Sequence, residues 1–229
     1  METGRFQWTR RPCALFWILL FMLLFSFGCA ERSKQQKTGV ETPVPASRVT
    51  GLKPLKPQPN EADMEPGLKV WYFTELFIRR IEEMPQGKPP FSWGKQGKPI
   101  PYLNHHFVGE NRKKLEVFDS GTHRGVAMYL WGMIRFPSAG RYFFKSMVND
   151  GILVLIDEKT IIDDSTWGSD RFSKETVVEV SEPGWYPIVV KYFQRKGTAR
   201  VHLFWKRPGQ DAYVFVPPEA YAHLRTSSN

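Results

Sequence analysis

The sequence predicts an all-β protein: a single antiparallel β-sandwich behind a signal peptide and a disordered tether. Three observations predict it. Aromatic residues make up 14 % of the chain, with eight Trp and seventeen Phe, and aromatic and β-branched side chains fit a pleated sheet. From residue 67 onward, short apolar runs alternate with turns rich in Gly and Pro. No window sustains a helical period of useful length. Many short strands joined by tight turns close into an antiparallel sandwich or barrel.

The elements follow in chain order. Residues 1–29 read as a secretory leader. Arg5, Arg10 and Arg11 precede an uncharged apolar run, residues 13–28, and small residues follow it. Three endings stay open: lipidation of Cys29 within Gly28-Cys29-Ala30, as in bacterial lipoproteins; cleavage after Ala30; or an uncleaved anchor, although the run is short of the roughly 20 residues that cross a bilayer comfortably. Each places the rest of the chain outside the cytoplasm, tethered at a membrane or released. Residues 30–66 are rich in Pro, Lys, Gln, Ser and Glu and nearly free of large apolar side chains, so they read as a flexible tether. Pro43, Pro45, Pro54, Pro57 and Pro59 stiffen it toward polyproline II.

The sandwich is expected over residues 67–225, with a short tail at 226–229. Strands are expected at residues 70–73, 126–136, 141–148, 152–156, 160–162, 176–180, 186–193 and 200–206. In 186–193, Tyr186, Ile188, Val190 and Tyr192 share one face. In 200–206, Val201, Leu203 and Trp205 oppose Arg200, His202, Phe204 and Lys206. One short helix is expected over residues 74–84, with Leu76, Phe77, Ile81 and Met84 on its apolar side.

Charge and cysteine exclude several classes. Of the net charge of +9, +2 lies in the first thirty residues, leaving +7 without a dense basic block. That pattern argues against nucleic acid and suits an anionic surface or an acidic glycan. The two cysteines, Cys13 and Cys29, both lie in the leader, so the domain has neither a disulfide framework nor a Cys-ligated metal. Adjacent His105 and His106 point to opposite sides of an extended chain and do not form a zinc pair. No nucleophile elbow, zinc-protease helix or phosphate loop is present. Glu82-Glu83, or Glu116 with Asp119, could be cast as a glycosidase pair, but nothing places either across a cleft. A non-enzyme is expected.

The stretch 140–164 carries the candidate site. Asn149-Asp150-Gly151 puts an acid and an amide on a turn, where their oxygens could meet a ligand or simply make a hairpin. Asp163 and Asp164 open a polar loop that also holds Trp167 and Asp170. A Trp among charged and small residues could stack on a sugar ring or fold back on the sandwich. Trp131, Trp185 and Trp205 sit inside alternating strands and are expected in the core.

The order of these motifs resembles the PA-fourteen domain, the sandwich module first named in anthrax protective antigen. The resemblance is carried by Gly67 to Phe73, by Trp131-Gly132 with Phe136-Pro137-Ser138-Ala139-Gly140-Arg141-Tyr142 as a central hairpin, and by Asn149-Asp150-Gly151 with Leu155-Ile156-Asp157. Pro183-Gly184-Trp185-Tyr186 and Leu203-Phe204-Trp205 complete it. It implies a non-catalytic module whose commonest role is carbohydrate recognition. In related adhesins two adjacent aspartates at the acidic turn hold calcium, which binds sugar hydroxyls; here the positions are Asn149 and Asp150, a neutral amide and one acid. The resemblance therefore implies a ligand site at Asn149, Asp150, Asp163, Asp164 and Trp167, with Ca²⁺ on Asn149 and Asp150. The alternative is an accessory subunit of a cell-envelope complex docking through a sandwich face.

Overall fold

Fifteen strands make up about half of the residues that the structure, a computed structural model, describes: 47–107 and 115–225. They are β1 (Ser47–Val49), β2 (Met64–Pro66), β3 (Lys69–Phe73), β4 (Lys95–Gln96), β5 (Asn104–Phe107), β6 (Val126–Phe136), β7 (Gly140–Asn149) and β8 (Gly151–Ile156). Then come β9 (Lys159–Asp164), β10 (Arg171–Phe172), β11 (Thr176–Val180), β12 (Gly184–Gln194), β13 (Ala199–Lys206), β14 (Val214–Phe215) and β15 (Tyr221–Leu224). The leader, Cys29 and the tail lie outside the described residues. Among the described residues no helix is long and apolar enough to cross a membrane.

The strands form two sheets. The seven-stranded sheet runs β1-β11-β7-β13-β14, with β10 on β7 and β5 on β13. The eight-stranded sheet runs β2-β15-β6-β12-β8-β9, with β3 on β6 and β4 on β3. Pairing is antiparallel except for β1 against β11. The faces that meet are those the alternation selects. Tyr186, Ile188, Val190 and Tyr192 enter the core from β12, and Val201, Leu203 and Trp205 enter it from β13. Trp205 is fully buried against the rings of Phe136, Tyr142 and Phe144. Burying such a ring in place of leaving it wet contributes on the order of 2–3 kcal/mol.

Several expectations are corrected. Residues 47–66 are part of the sandwich rather than tether. Leu52 is 2 % exposed, β1 extends the seven-stranded sheet, and Gln58 bonds the backbone at Trp185. Sparse apolar residues suffice here because the segment adds backbone to existing edges and needs only one or two anchors. The helix expected at 74–84 is an irregular loop ending in a 3₁₀ turn, Ile81–Glu83. Its apolar residues pack on the outer face of the eight-stranded sheet instead. Trp131 and Trp185 lie on that same outer face, not between the sheets. The two turns read as hairpins, 137–139 and Asp150, both carry the chain from one sheet to the other.

Candidate functional site

The site forms where two of these crossings meet. At Asp150 the chain leaves β7 in one sheet and enters β8 in the other. At residues 195–198 it leaves β12 and enters β13, crossing in the reverse direction. The two corners are tied together. The Asp150 N–H donates to Phe193 O at 3.1 Å, and the Arg195 N–H donates to Asp150 Oδ2 at 2.6 Å. The Tyr192 hydroxyl, rising from the core, donates to Asn149 O at 2.6 Å. The Asn149–Asp150 peptide is cis. Gly151 is not required for a left-handed turn. A Cβ there would come within 2.4 Å of the Phe193 ring, so the close approach of that ring demands glycine.

Asn149 is 8 % exposed and Asp150 is 5 % exposed. Burial pushes the Asp150 carboxyl above the usual carboxylate range. The backbone N–H groups of Arg195 and Gly168 and the charges of Arg195 and Arg171 oppose that rise. Beside the pair lies a pocket of about 270 Å³. Its floor is Asn149 and Asp150, and its walls are Trp167, Gly168 and Ser169 on one side and Arg195 and Lys196 on the other. Trp167 is 52 % exposed, with the Arg79 guanidinium 5.9 Å from its ring centre. Its loop is held against residues 79–81, Trp167 N–H donating to Arg79 O at 2.8 Å and Ile81 N–H to Ser165 O at 3.0 Å. The indole is thus presented by a fixed backbone.

Two other acids of the loop, Asp164 and Asp170, are paired with arginines. Asp164 receives Nε (3.0 Å) and Nη2 (2.6 Å) of Arg171. Asp170 accepts from Asn149 Nδ2 at 2.9 Å and pairs with Arg200 at 3.0 Å. Asp163 is exposed on β9 and does not line the pocket. The structure therefore brings Asn149, Asp150 and Trp167 together and leaves Asp163 and Asp164 outside. Arg195 and Lys196 join the pocket without any sequence motif, because topology alone folds their corner onto Asp150.

Calcium needs several converging oxygens. The pocket offers one carboxylate, already accepting backbone N–H groups, and one amide, with an arginine and a lysine in the wall. Among the described residues no group of three or more His, Cys, Asp or Glu is placed to hold a metal. This donor set does not fit a calcium cradle. His105 stacks on Phe118 at 4.3 Å, while His106 lies beside Arg200. Glu116 accepts the Gly121 N–H and Asp119 the Lys98 N–H, so both carboxylates cap loops.

Fold and pocket together define a two-sheet β-sandwich module with a concave site at its loop end. Residues 116–217 match the PA14 domain family. Among curated protein sequences nothing matches the chain. Solved structures share the fold at low identity. An anti-sigma factor domain-containing protein superposes with a TM-score of 0.54 at 15 % identity, over 72 % of this chain and 50 % of its own. The chain thus spans about half the length of that protein. The PA14 domain of the MpAFP antifreeze protein superposes at 0.51 with 15 % identity, over 72 % and 93 %. The A domain of Epithelial Adhesin 9 from Candida glabrata, in complex with Galβ1-3GlcNAc, superposes at 0.54 with 13 % identity, over 80 % and 99 %.

Proposed function

We propose that the chain is a non-catalytic, extracytoplasmic carbohydrate-binding module, tethered through its N-terminal segment. One observation carries the reading: an exposed indole on a fixed loop faces a pocket floored by a buried acid and amide. A sugar offers the same pairing, an apolar ring face and hydroxyls. The match of residues 116–217 to the PA14 domain family and the sugar in the adhesin complex support the choice. The floor would accept and donate hydroxyl hydrogen bonds directly, and the ring would lie on Trp167. Because the donors do not suit calcium, we infer that recognition proceeds without it.

The test is a glycan panel read by isothermal titration in calcium and in chelator. Trp167→Ala is expected to weaken the selected glycan about tenfold, the scale of one aromatic contact. Chelation is expected to change affinity less than about twofold. Retention of no glycan in either condition would sink the reading. A calcium requirement would move Asn149 and Asp150 back to a metal role.

A second reading, an accessory subunit of an envelope complex, draws on a different place. The outer face of the eight-stranded sheet holds an apolar trough of about 450 Å³ lined by Tyr129, Trp131, Met133, Pro187 and Val189. A stoichiometric partner recovered from native membranes, with association intact in Asp150→Ala, would favour it.

A further inference from the structure

The outward face of the seven-stranded sheet carries a feature the corner pocket does not use. Its side chains come from β7, β13, β14 and β10. The register sets Phe143 opposite Lys206, Lys145 opposite Phe204, and Phe204 opposite Phe215. Lysines and rings therefore alternate across the face. The Lys206 ammonium lies 4.1 Å from the Phe143 ring centre and 5.6 Å from that of Tyr213. The Lys145 ammonium lies 3.9 Å from Tyr213 and 4.8 Å from Phe172. Phe204 stacks on Phe215 at 4.6 Å, and Phe172 is 55 % exposed.

The acids of this face are already engaged. Glu179 holds Arg48 and Arg141, Glu175 accepts the Tyr213 hydroxyl, and Asp170 holds Arg200. Among the described residues neither Lys145 nor Lys206 has a carboxylate partner; each rests on rings alone. An ammonium over a ring face is stabilised there, yet its charge still points outward. With the ring faces covered, the phenyl edges that remain carry partial positive charge. Both components of the strip thus attract anions while leaving apolar surface between them. The strip runs from residue 143 to residue 147 along β7, about 13 Å at the usual rise per residue.

We propose that this strip binds an acidic polysaccharide, with carboxylate or sulfate groups on Lys145 and Lys206 and apolar sugar C–H groups against the ring edges of Phe172 and Phe204. Stacked nucleic acid bases suit the strip poorly, because they need open ring faces, whereas Lys145 lies over Phe172 and Tyr213, Lys206 lies over Phe143, and Phe204 and Phe215 stack on each other. The site is separate from the corner pocket and does not require the pocket to bind sugar.

The test uses the full chain in neutral detergent, with polygalacturonate, heparin and methyl-esterified polygalacturonate as probes. Binding to one or both acidic polymers, weakening as salt rises and absent for the esterified polymer, is the expected result. The Lys145→Gln/Lys206→Gln variant is expected to lose about tenfold in affinity. Lys145→Arg/Lys206→Arg should retain binding, which separates lost charge from lost fold. Asp150→Ala should leave it unchanged, so failure here and failure of the pocket are distinguishable. Overturning results are no binding to either acidic polymer, equal binding to the esterified one, or indifference to the glutamine variant. Tighter binding to single-stranded DNA or to phosphatidylglycerol micelles, with the same variant sensitivity, would also overturn it.

Discussion

Asp150 joins structure and recognition in one side chain. Its carboxylate receives the Arg195 N–H and so fastens one sheet crossing to the other, yet burial makes its charge unfavourable. The sign of the pH effect follows. Asp150 holds its proton more tightly folded than unfolded, so its contribution is fully present below the unfolded-state pKa and is lost as pH rises through the folded-state value. Asp150→Asn removes the charge and keeps an acceptor. Stability of the wild type relative to this variant is therefore expected to improve as pH falls from neutral into the carboxylate range. Urea midpoints at several pH values check it, and a constant difference would contradict the assigned burial effect. Trp167 is the complementary case. Half exposed, with the Arg79 guanidinium near its ring, it should be replaceable by Ala at less than about 1 kcal/mol of stability while binding drops.

Long strands were legible in the chain because alternation reports a sheet with one wet and one dry face. The expected bounds 126–136 and 176–180 are those of β6 and β11. Short edge strands were not legible. β1, β2, β10 and β14 have two or three residues each and hold their place by pairing, which leaves no periodic trace. The segment 47–66 misled for that reason: its composition is that of a linker, but Leu52 and Gln58 anchor it. Leu52→Ala is expected to lower unfolding free energy by roughly 2 to 4 kcal/mol, as for other buried leucines. A loose tether would show no change in chemical denaturation. The expected helix at 74–84 failed on a related point. Its apolar spacing fits a helix, but the outer sheet surface of Phe73, Tyr129 and Phe193 accepts those residues from an irregular loop.

At the scale of the whole molecule, the pocket belongs to neither sheet. Sequence showed Asn149, Asp150 and Trp167 because they cluster along the chain. It hid Arg195 and Lys196 because only the return crossing from β12 to β13 brings them to the same end. A site built from two crossings has an energetic consequence. Separating the sheets destroys it, so a ligand there binds the folded state alone and stabilises the entire sandwich. At about one hundred times its dissociation constant, such a ligand adds about 2.7 kcal/mol. For a domain of this size that corresponds to a rise in Tm of roughly 5 to 10 °C. Calorimetry of the full chain with the glycan selected from the panel checks this, and Asp150→Ala should abolish the rise. The acidic polymer on the outward strip should still raise Tm in that variant, because β7, β13 and β14 supply its contacts without the corner. Should the panel glycan bind without moving Tm, its contacts would lie on a segment that opens independently of the sandwich, and the two-crossing site would be the wrong place.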